Sequence, residues 1–511
     1  MAAPLRYPLI LLAWGIMALI YLPVFPAIAL MLAPAFRLAC WQALFADPQI
    51  WQALAATLIS TLLAVGGALL ISLTLVAALW PSRGWRQLAG RLPLLLAVPH
   101  VAFATGALLL FAEGGWLYRV CSVCSPPADR YGIGLGLTMA IKESGFLLWA
   151  IYGLLSEKRL AEQATVLKSQ GYGRWQCLNW LILPTLLPSL AIVLVATTAW
   201  SLSTVDVALV IGPGNPPTLA VLAWQWLNQG DDMQQAKGAL ASLLLLLILG
   251  GVLVCAWGGW RLWQRQIPDL RGIRRPQPRA LAGRLLAIGL PLSGLLCALL
   301  LAALAQSASP LNDSLANSLG LALLASLAGA LVCLLWLECG PSRGDSWVWL
   351  PLVLPALPLA DGQYQLALYT WQDGQFATVL WGHLLWVVPW MLFVLRPAWR
   401  HRDPRLELVA RTLGWGRWQR VWRVKLPMLV RPLLMALAVG FSVSIAQYLP
   451  PLWLGAGRTP TLTSEAVALS SGGDTQTLAA QALWQLLLPA MVFSLTALLA
   501  WLAGRYRRGL R

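Results

Sequence analysis

Ionisable side chains sit inside runs of sequence that are otherwise apolar. Lys142 and Glu143 are adjacent in a run at 132–155, Asp206 lies in 183–211, Asp361 near the end of 346–360, and His383 in 376–396. A charged group in hydrocarbon is expensive, so such residues mark solute or ion paths by default. Lys142, Glu143, Asp206 and His383 are therefore candidate pathway-lining residues. The plainer reading of Lys142 and Glu143 is a local ion pair or a snorkelling end. His100, one residue after Pro99, suits a structural role better than a ligand role. Ser201, Ser203, Thr204, Ser442, Ser444 and Gln447 stand in two matching runs and could line the same path, although small hydroxyls also serve helix packing.

Other chemistry finds little support. The chain has 3 His, at dispersed positions, so no catalytic or metal-binding His/Asp/Glu cluster is expected. Its 8 Cys include a lone Cys121-x-x-Cys124, read as a local disulfide or two free thiols; a zinc site needs two more ligands and a redox site a βαβ context. There is no G-x-x-x-x-G-K-[ST] and no Gly-Lys dipeptide, so phosphate cradling for ATP hydrolysis is absent. Gly212 to Pro217 follows an apolar span and has no βαβ unit around it, which excludes a dinucleotide loop. No catalytic residue, metal or cofactor is expected.

The elements that must position these residues are membrane helices. Of 511 residues, 59% are hydrophobic and 11% charged, with mean hydropathy +0.70; soluble domains carry about 25% charged residues. The apolar runs lie at 8–32, 51–79, 92–112, 132–155, 183–211 and 239–262, then 285–305, 316–338, 346–360, 376–396, 427–449 and 478–503. Each is near the ~20 residues that a crossing helix needs. The first is longer than a signal-peptide core of about 7–15 residues and reads as a retained anchor. The expected fold is an all-α membrane protein of about twelve helices in two tandem six-helix repeats.

The net charge of +17 does not indicate nucleic acid, because the Arg residues occupy short loops between apolar runs. They follow the even-numbered runs: Arg83, Arg86 and Arg91; Lys158, Arg159, Lys168 and Arg174; Arg261 to Arg284; Arg343; Arg400 to Arg423; and Arg505 to Arg511. The positive-inside rule then places both termini and every even loop in the cytoplasm. Many of the 29 Trp lie near run ends, where indole favours the interface.

One loop occurs twice. Gly171-Tyr-Gly-Arg-Trp-Gln and Gly414-Trp-Gly-Arg-Trp-Gln stand 243 residues apart, and the register persists through Leu183-Pro184 and Leu426-Pro427 to Gly212 and Gly455. Pro81-Ser-Arg-Gly and Pro341-Ser-Arg-Gly echo each other 260 residues apart, so the second copy is shorter between that point and the loop. This predicts a first repeat over 1–262 with its core from about 51, a basic linker over 263–284, and a second repeat over 285–511 with its core at about 312–503.

In the second loop Asp403 is a plausible N-cap and Pro404 a first helical residue. Leu406, Val409, Ala410 and Leu413 follow at one-face spacing, Glu407 and Arg411 form an i, i+4 pair, and Gly414 ends the helix. Trp418, Val421 and Trp422 mark a second short helix. In the first loop the face is Leu160, Ala164 and Leu167, followed by Trp175 and Leu178. A single copy would read as an interfacial helix on anionic lipid; two copies in register point to a pseudo-twofold partner.

The loops resemble those of the inner-membrane permease subunits of binding-protein-dependent ABC importers, whose signature is Glu-Ala-Ala, three residues, Gly, nine residues, then Ile-x-Leu-Pro. The Gly-to-Leu-Pro spacing matches at Gly171 to Leu183-Pro184 and at Gly414 to Leu426-Pro427, with Leu181 and Val424 in the Ile position. The signature Glu falls on Thr165 and Leu408, and the nearest acids, Glu162 and Glu407, stand three and one residues early. Over nearly the whole chain the pattern is similar to fused permeases of the ferric iron or thiamine type. The resemblance implies cytoplasmic ABC ATPase subunits and a periplasmic substrate-binding protein as partners, membrane lipid around the chain, and a bacterial inner-membrane location. It further implies ATPase coupling through Glu162, Ala164, Gly171, Arg174, Leu183 and Pro184 in the first loop. Glu407, Ala410, Gly414, Arg417, Leu426 and Pro427 are their counterparts in the second. An ion-coupled secondary transporter is the alternative; it should repeat its acidic site, yet Asp206 corresponds to Leu449.

Overall fold

The computed structural model describes residues 6–112, 115–121, 129–157, 160–268, 281–305, 313–341, 344–472 and 474–506. Among these the regular structure is helical throughout, as an apolar chain that must satisfy its own backbone in hydrocarbon requires. Among the described residues, ten helices are long and apolar enough to cross a bilayer, from Tyr7–Phe36 to Thr475–Arg505.

Two expected runs are not among those ten. The run at 132–155 is one continuous helix, Ile133–Glu157, whose apolar character is diluted by Lys142 and Glu143. The run at 346–360 is not one helix, which corrects the sequence expectation. It divides into the 3-10 turn Ser346–Trp349, the short helix Leu350–Val353 and the helix Ala356–Tyr369. Pro355 is the cause: the residue before it, Leu354, is extended with ψ 145°, because the proline ring clashes with an α conformation there. The 14 residues of Ala356–Tyr369 rise about 1.5 Å each and fall short of a ~30 Å core. The run at 92–112 breaks in the same way, into Arg83–Leu96 and His100–Phe111 around Pro99.

The second half retraces the first. Ile133–Glu157, Leu183–Ser203, Asp206–Ile211, Leu219–Leu227 and Asp232–Gln264 have counterparts in Phe376–Arg400, Leu426–Ile445, Leu449–Leu454, Leu462–Ser470 and Thr475–Tyr506, each starting 243 residues later. Even a tertiary hydrogen bond recurs: Leu219 N–H donates to Thr57 Oγ1 at 2.8 Å, and Leu462 N–H to Ser318 Oγ at 2.8 Å. The register changes ahead of Ile133. The link from Phe111 to Ile133 is much longer than the link from Tyr369 to Phe376, and it carries the Cys-x-x-Cys. Cys121 is disulfide-bonded; Cys124 lies outside the described residues.

Helices approach closely through small residues, because lipid supplies no hydrophobic drive between them. Ile50–Leu79 packs on Ile133–Glu157 so tightly that a Cβ on Gly67 would lie 2.7 Å from Ala140 Cβ. The first helix of each half packs on the other half. Tyr21 Oη donates to Val348 O at 2.8 Å and Trp14 meets Trp336 edge-on at 5.0 Å. In return, Leu281–Leu304 docks on the first half, where Cys297 fills the space left by Gly106. The halves are thereby interlocked, with a cavity between them and the two repeated loops at one end.

Candidate functional site: paired elbows and a central cavity

Each repeated loop folds as an elbow with the same backbone. The helix Leu160–Ser169 ends at Gly171 (φ +85°), and Pro404–Thr412 ends just before Gly414 (φ +76°). Tyr172 N–H reaches Leu167 O and Gly171 N–H reaches Lys168 O; Trp415 N–H reaches Ala410 O and Gly414 N–H reaches Arg411 O. Only a residue that tolerates the left-handed region closes a helix with this double bond, which accounts for the first glycine of the motif. The second glycine, Gly173 or Gly416, caps the next helical turn. Its N–H donates to the side chain of Gln176 at 2.9 Å or Gln419 at 3.0 Å. A π-helical turn follows, Leu178–Ile182 or Val421–Lys425, and feeds the helix opened by Leu183-Pro184 or Leu426-Pro427.

The repeated arginine turns inward. Arg174 Nη1 donates to Ala78 O at the end of Ile50–Leu79, and Arg417 Nη2 donates to Glu338 O at 2.9 Å at the end of Asp313–Cys339. A guanidinium on the last carbonyls of a helix satisfies orphan acceptors and suits the helix dipole. These arginines seat the elbow on a membrane helix.

Around that shared frame the side chains differ. In the second elbow Glu338 accepts from Arg417 Nε at 3.0 Å and Lys425 Nζ at 2.6 Å. Lys425 Nζ also lies 3.5 Å from Glu407, which pairs with Arg411 at 3.1 Å and Arg420 at 3.8 Å. Burial alone would raise the Glu407 pKa, but Lys425 and Arg411 outweigh it and hold the carboxyl below its ordinary value. In the first elbow the residues at the positions of Glu338, Glu407, Arg420 and Lys425 are Ala78, Ala164, Cys177 and Ile182. Ala164, Cys177 and Ile182 are buried and pack the elbow by apolar contact. Burial pushes the Lys168 ammonium below its usual pKa, Cys177 opposes that and Arg174 adds to it.

The outer faces differ too. Leu160, Ala164 and Leu167 form one face, as expected, and it is turned into the membrane domain. The expected face of the second elbow splits: Ala410 is buried, while Leu406, Val409 and Leu413 are exposed. Leu408, Trp418 and Trp422 extend this apolar surface, whereas the exposed residues of the first elbow are mostly polar, Glu162 among them, with Val166 an exception. Asp403 caps Pro404–Thr412 through Arg405 N–H at 2.9 Å, as the sequence predicts.

Between the halves lies a cavity of about 230 Å³. Lys142, Glu143 and Asp206 line it; His383 does not. His383 is 1% exposed and its Nδ1 lies 2.7 Å from Ser444 Oγ, inside the second half. Asp361 is also off the cavity and meets Gln365 at 3.4 Å. Of the hydroxyl and amide candidates, Ser203, Thr204, Ser442 and Gln447 line the wall. His100, which the sequence assigned a structural role, lines it as well, with Nε2 2.7 Å from Glu143 Oε1. The breaks at Pro99 and after Ser203 present this site: both interrupt a helix at the wall. Sequence reasoning also missed Glu338 and Lys425. An acid at the end of an apolar run where the other copy has alanine was the available signal.

The family described as "Binding-protein-dependent transport system inner membrane component" matches residues 345–508. The chain is 58% identical to the inner membrane ABC transporter permease protein YnjC of Escherichia coli (strain K12), over 100% of both chains. It is 27% identical to the thiamine transport system permease protein ThiP of the same organism over 454 residues, 80% of this chain and 81% of that one. No solved structure matches it.

Proposed function

The chain belongs to the family of inner-membrane permeases of binding-protein-dependent ABC transporters, and on that premise we propose that it forms a complete translocation path driven through its two elbows. Each elbow is a coupling element that receives a cytoplasmic ATPase subunit, and a periplasmic binding protein delivers solute to the opposite side. Nucleotide hydrolysis belongs to the separate ATPase, since the chain carries no phosphate-binding loop. Both termini and both elbows face the cytoplasm, in keeping with the basic residues of the even loops. The tandem halves are two permease repeats over 1–262 and 285–511, joined by the linker 263–284.

The observation that carries this reading is the repetition of one backbone device at a 243-residue interval: a short helix closed by a left-handed glycine, a capped turn, a π turn and a Leu-Pro entry. Two equivalent devices at one end suit a partner with two equivalent sockets. Closure of that partner moves the elbows, and the inward arginines pass the motion to Ile50–Leu79 and Asp313–Cys339. Contact with the ATPase falls to exposed residues such as Glu162, Val166, Leu408 and Val409, whereas Ala164 and Ala410 form the seat. The relative named for thiamine transport supports the type of machine and leaves the solute open.

The test is co-purification. Val166→Asp together with Val409→Asp should abolish recovery of the ATPase with the tagged permease while the permease itself stays monodisperse. Undiminished recovery would refute the coupling role.

A further inference from the structure

The two elbows offer unlike surfaces on one backbone. Exposed positions of the first hold Glu162, Gln163, Thr165 and Gln170. The residues 243 further on, exposed as well, are Arg405, Leu406, Leu408 and Leu413. Where the first elbow has three polar side chains and a carboxylate, the second has three leucines and a guanidinium. The second also stands further clear of the membrane domain. Leu160, Tyr172 and Gly173 are buried, whereas Asp403 and Gly416 are exposed and Trp415 is half-buried.

Exposed leucines at this density mark a surface that a partner covers. Lipid does not fit as the cover. Leu408 stands two residues from Leu406, about 200° round the helix at 3.6 residues per turn, so apolar groups project from both sides of Pro404–Thr412. A bilayer surface meets one side of a helix, while the walls of a groove meet both. Nor does one kind of groove suit both elbows equally. An acidic group on its rim that attracts Arg405 repels Glu162. An apolar floor that receives Leu406 and Leu408 strips water from Gln163 and Thr165 without replacing their hydrogen bonds.

We propose that the second elbow is the principal grip of the ATPase. Its socket is an apolar groove with acidic groups on the rim beside Arg405, and the first elbow makes a weaker, polar contact. This inference rests on reading the elbows as coupling elements, and it specifies which of the two carries the affinity and what chemistry receives it.

The test uses the full chain in lipid nanodiscs, titrated by biolayer interferometry with the ATPase subunit recovered with it in co-purification. Leu406→Gln together with Leu408→Thr gives the second elbow the first elbow's residues at two exposed positions. Binding should weaken about tenfold to a hundredfold, the loss that follows truncation of central interface anchors. Gln163→Ala together with Thr165→Ala should weaken it less than about threefold. Arg405→Glu should slow association, and high salt should shrink that effect. Equal losses from the two double variants, or a larger loss from the first elbow, would overturn the proposal and leave the coupling role standing. No loss from either, or no ATPase to recover, would refute the coupling role itself and this inference with it. A fluorophore on Leu408→Cys that is quenched by brominated lipid and not shielded by the ATPase would place the leucines in the membrane and overturn the proposal too. Should the double leucine variant fail to fold, Arg405→Glu decides, and an unchanged association rate there overturns it.

Discussion

The two elbows share a backbone and differ in what holds it. In the first, Ala164, Cys177 and Ile182 are buried and the elbow rests on apolar contact. In the second, Glu338, Lys425, Glu407, Arg417 and Arg420 form a linked set of ion pairs, and the apolar side chains have moved outward to Leu408, Val409, Trp418 and Trp422. The lesson is that the Gly-x-Gly-Arg-Trp-Gln motif fixes a shape, while the residues between its fixed points choose how the shape is seated and what it shows to a partner. The device conserved between elbows is the left-handed glycine, the glutamine cap and the inward arginine.

The strongest way to break this comparison is to remove the cation that two carboxylates share. Lys425→Met leaves Glu338 and Glu407 without their shared cation, and removal of one partner from a buried pair costs about 3–5 kcal/mol. Glu338 is 15% exposed and keeps Arg417, which puts the loss at the low end, about 3 kcal/mol. A lower midpoint in the thermal unfolding of purified permease would show it, and an unchanged midpoint would mean the brace is incidental. The converse change, Ile182→Lys in the first elbow, should destabilise because Ala78 offers no carboxylate, and Ala78→Glu added to it should recover stability.

The paired arginines sharpen the comparison at an intermediate size. Arg417→Ala removes both the carbonyl clamp and the Glu338 ion pair, whereas Arg174→Ala removes the clamp to Ala78. We expect a loss of about 2–3 kcal/mol for the former and about 1 kcal/mol for the latter, measured by denaturation of each variant in the same detergent. Equal losses would show that Glu338 contributes nothing.

Much of this was legible in the sequence. The repeat at 243 residues, the N-cap at Asp403, the Glu407–Arg411 pair and the helix end at Gly414 follow from local chemistry, and the structure has them. The division of 346–360 was readable in principle, because Pro355 forbids a continuous helix through Leu354. What the sequence could not show is direction. Periodicity put Leu406, Val409, Ala410 and Leu413 on one face without saying which membrane helix lies beneath them, and packing buried Ala410 alone. The partners of Arg417 and Lys425 lie 79 and 87 residues away in sequence, beyond any local pattern. His383 shares its polarity with Lys142 but points into its own half, to Ser444, so residue type alone overstated its role.

A smaller effect is expected at Gly414, where φ is +76° and open space surrounds the missing Cβ. Alanine there meets no clash and incurs the left-handed penalty alone, about 1–2 kcal/mol. The smallest contrast is in pH. Lys425 and Arg411 hold the Glu407 carboxyl below its ordinary value, so its contribution is fully present above that value and disappears as pH falls through the depressed one. The first elbow has Ala164 at that position and lacks this loss. Hydrogen exchange over 404–420 should therefore accelerate on acidification below the ordinary carboxylate range, with no matching change over 160–177.

The most direct measurement of the central claim uses a matched pair of surface positions, Val166 at 56% exposure and Val409 at 54%, 243 residues apart. With cysteine placed at each in turn, a bifunctional thiol reagent applied to inverted membrane vesicles should join the permease to its ATPase from both positions. A membrane-impermeant thiol reagent applied to the outside of intact spheroplasts should leave both unlabelled. Labelling from outside, or crosslinks to lipid and neighbouring permease but never to a nucleotide-binding subunit, would contradict the account.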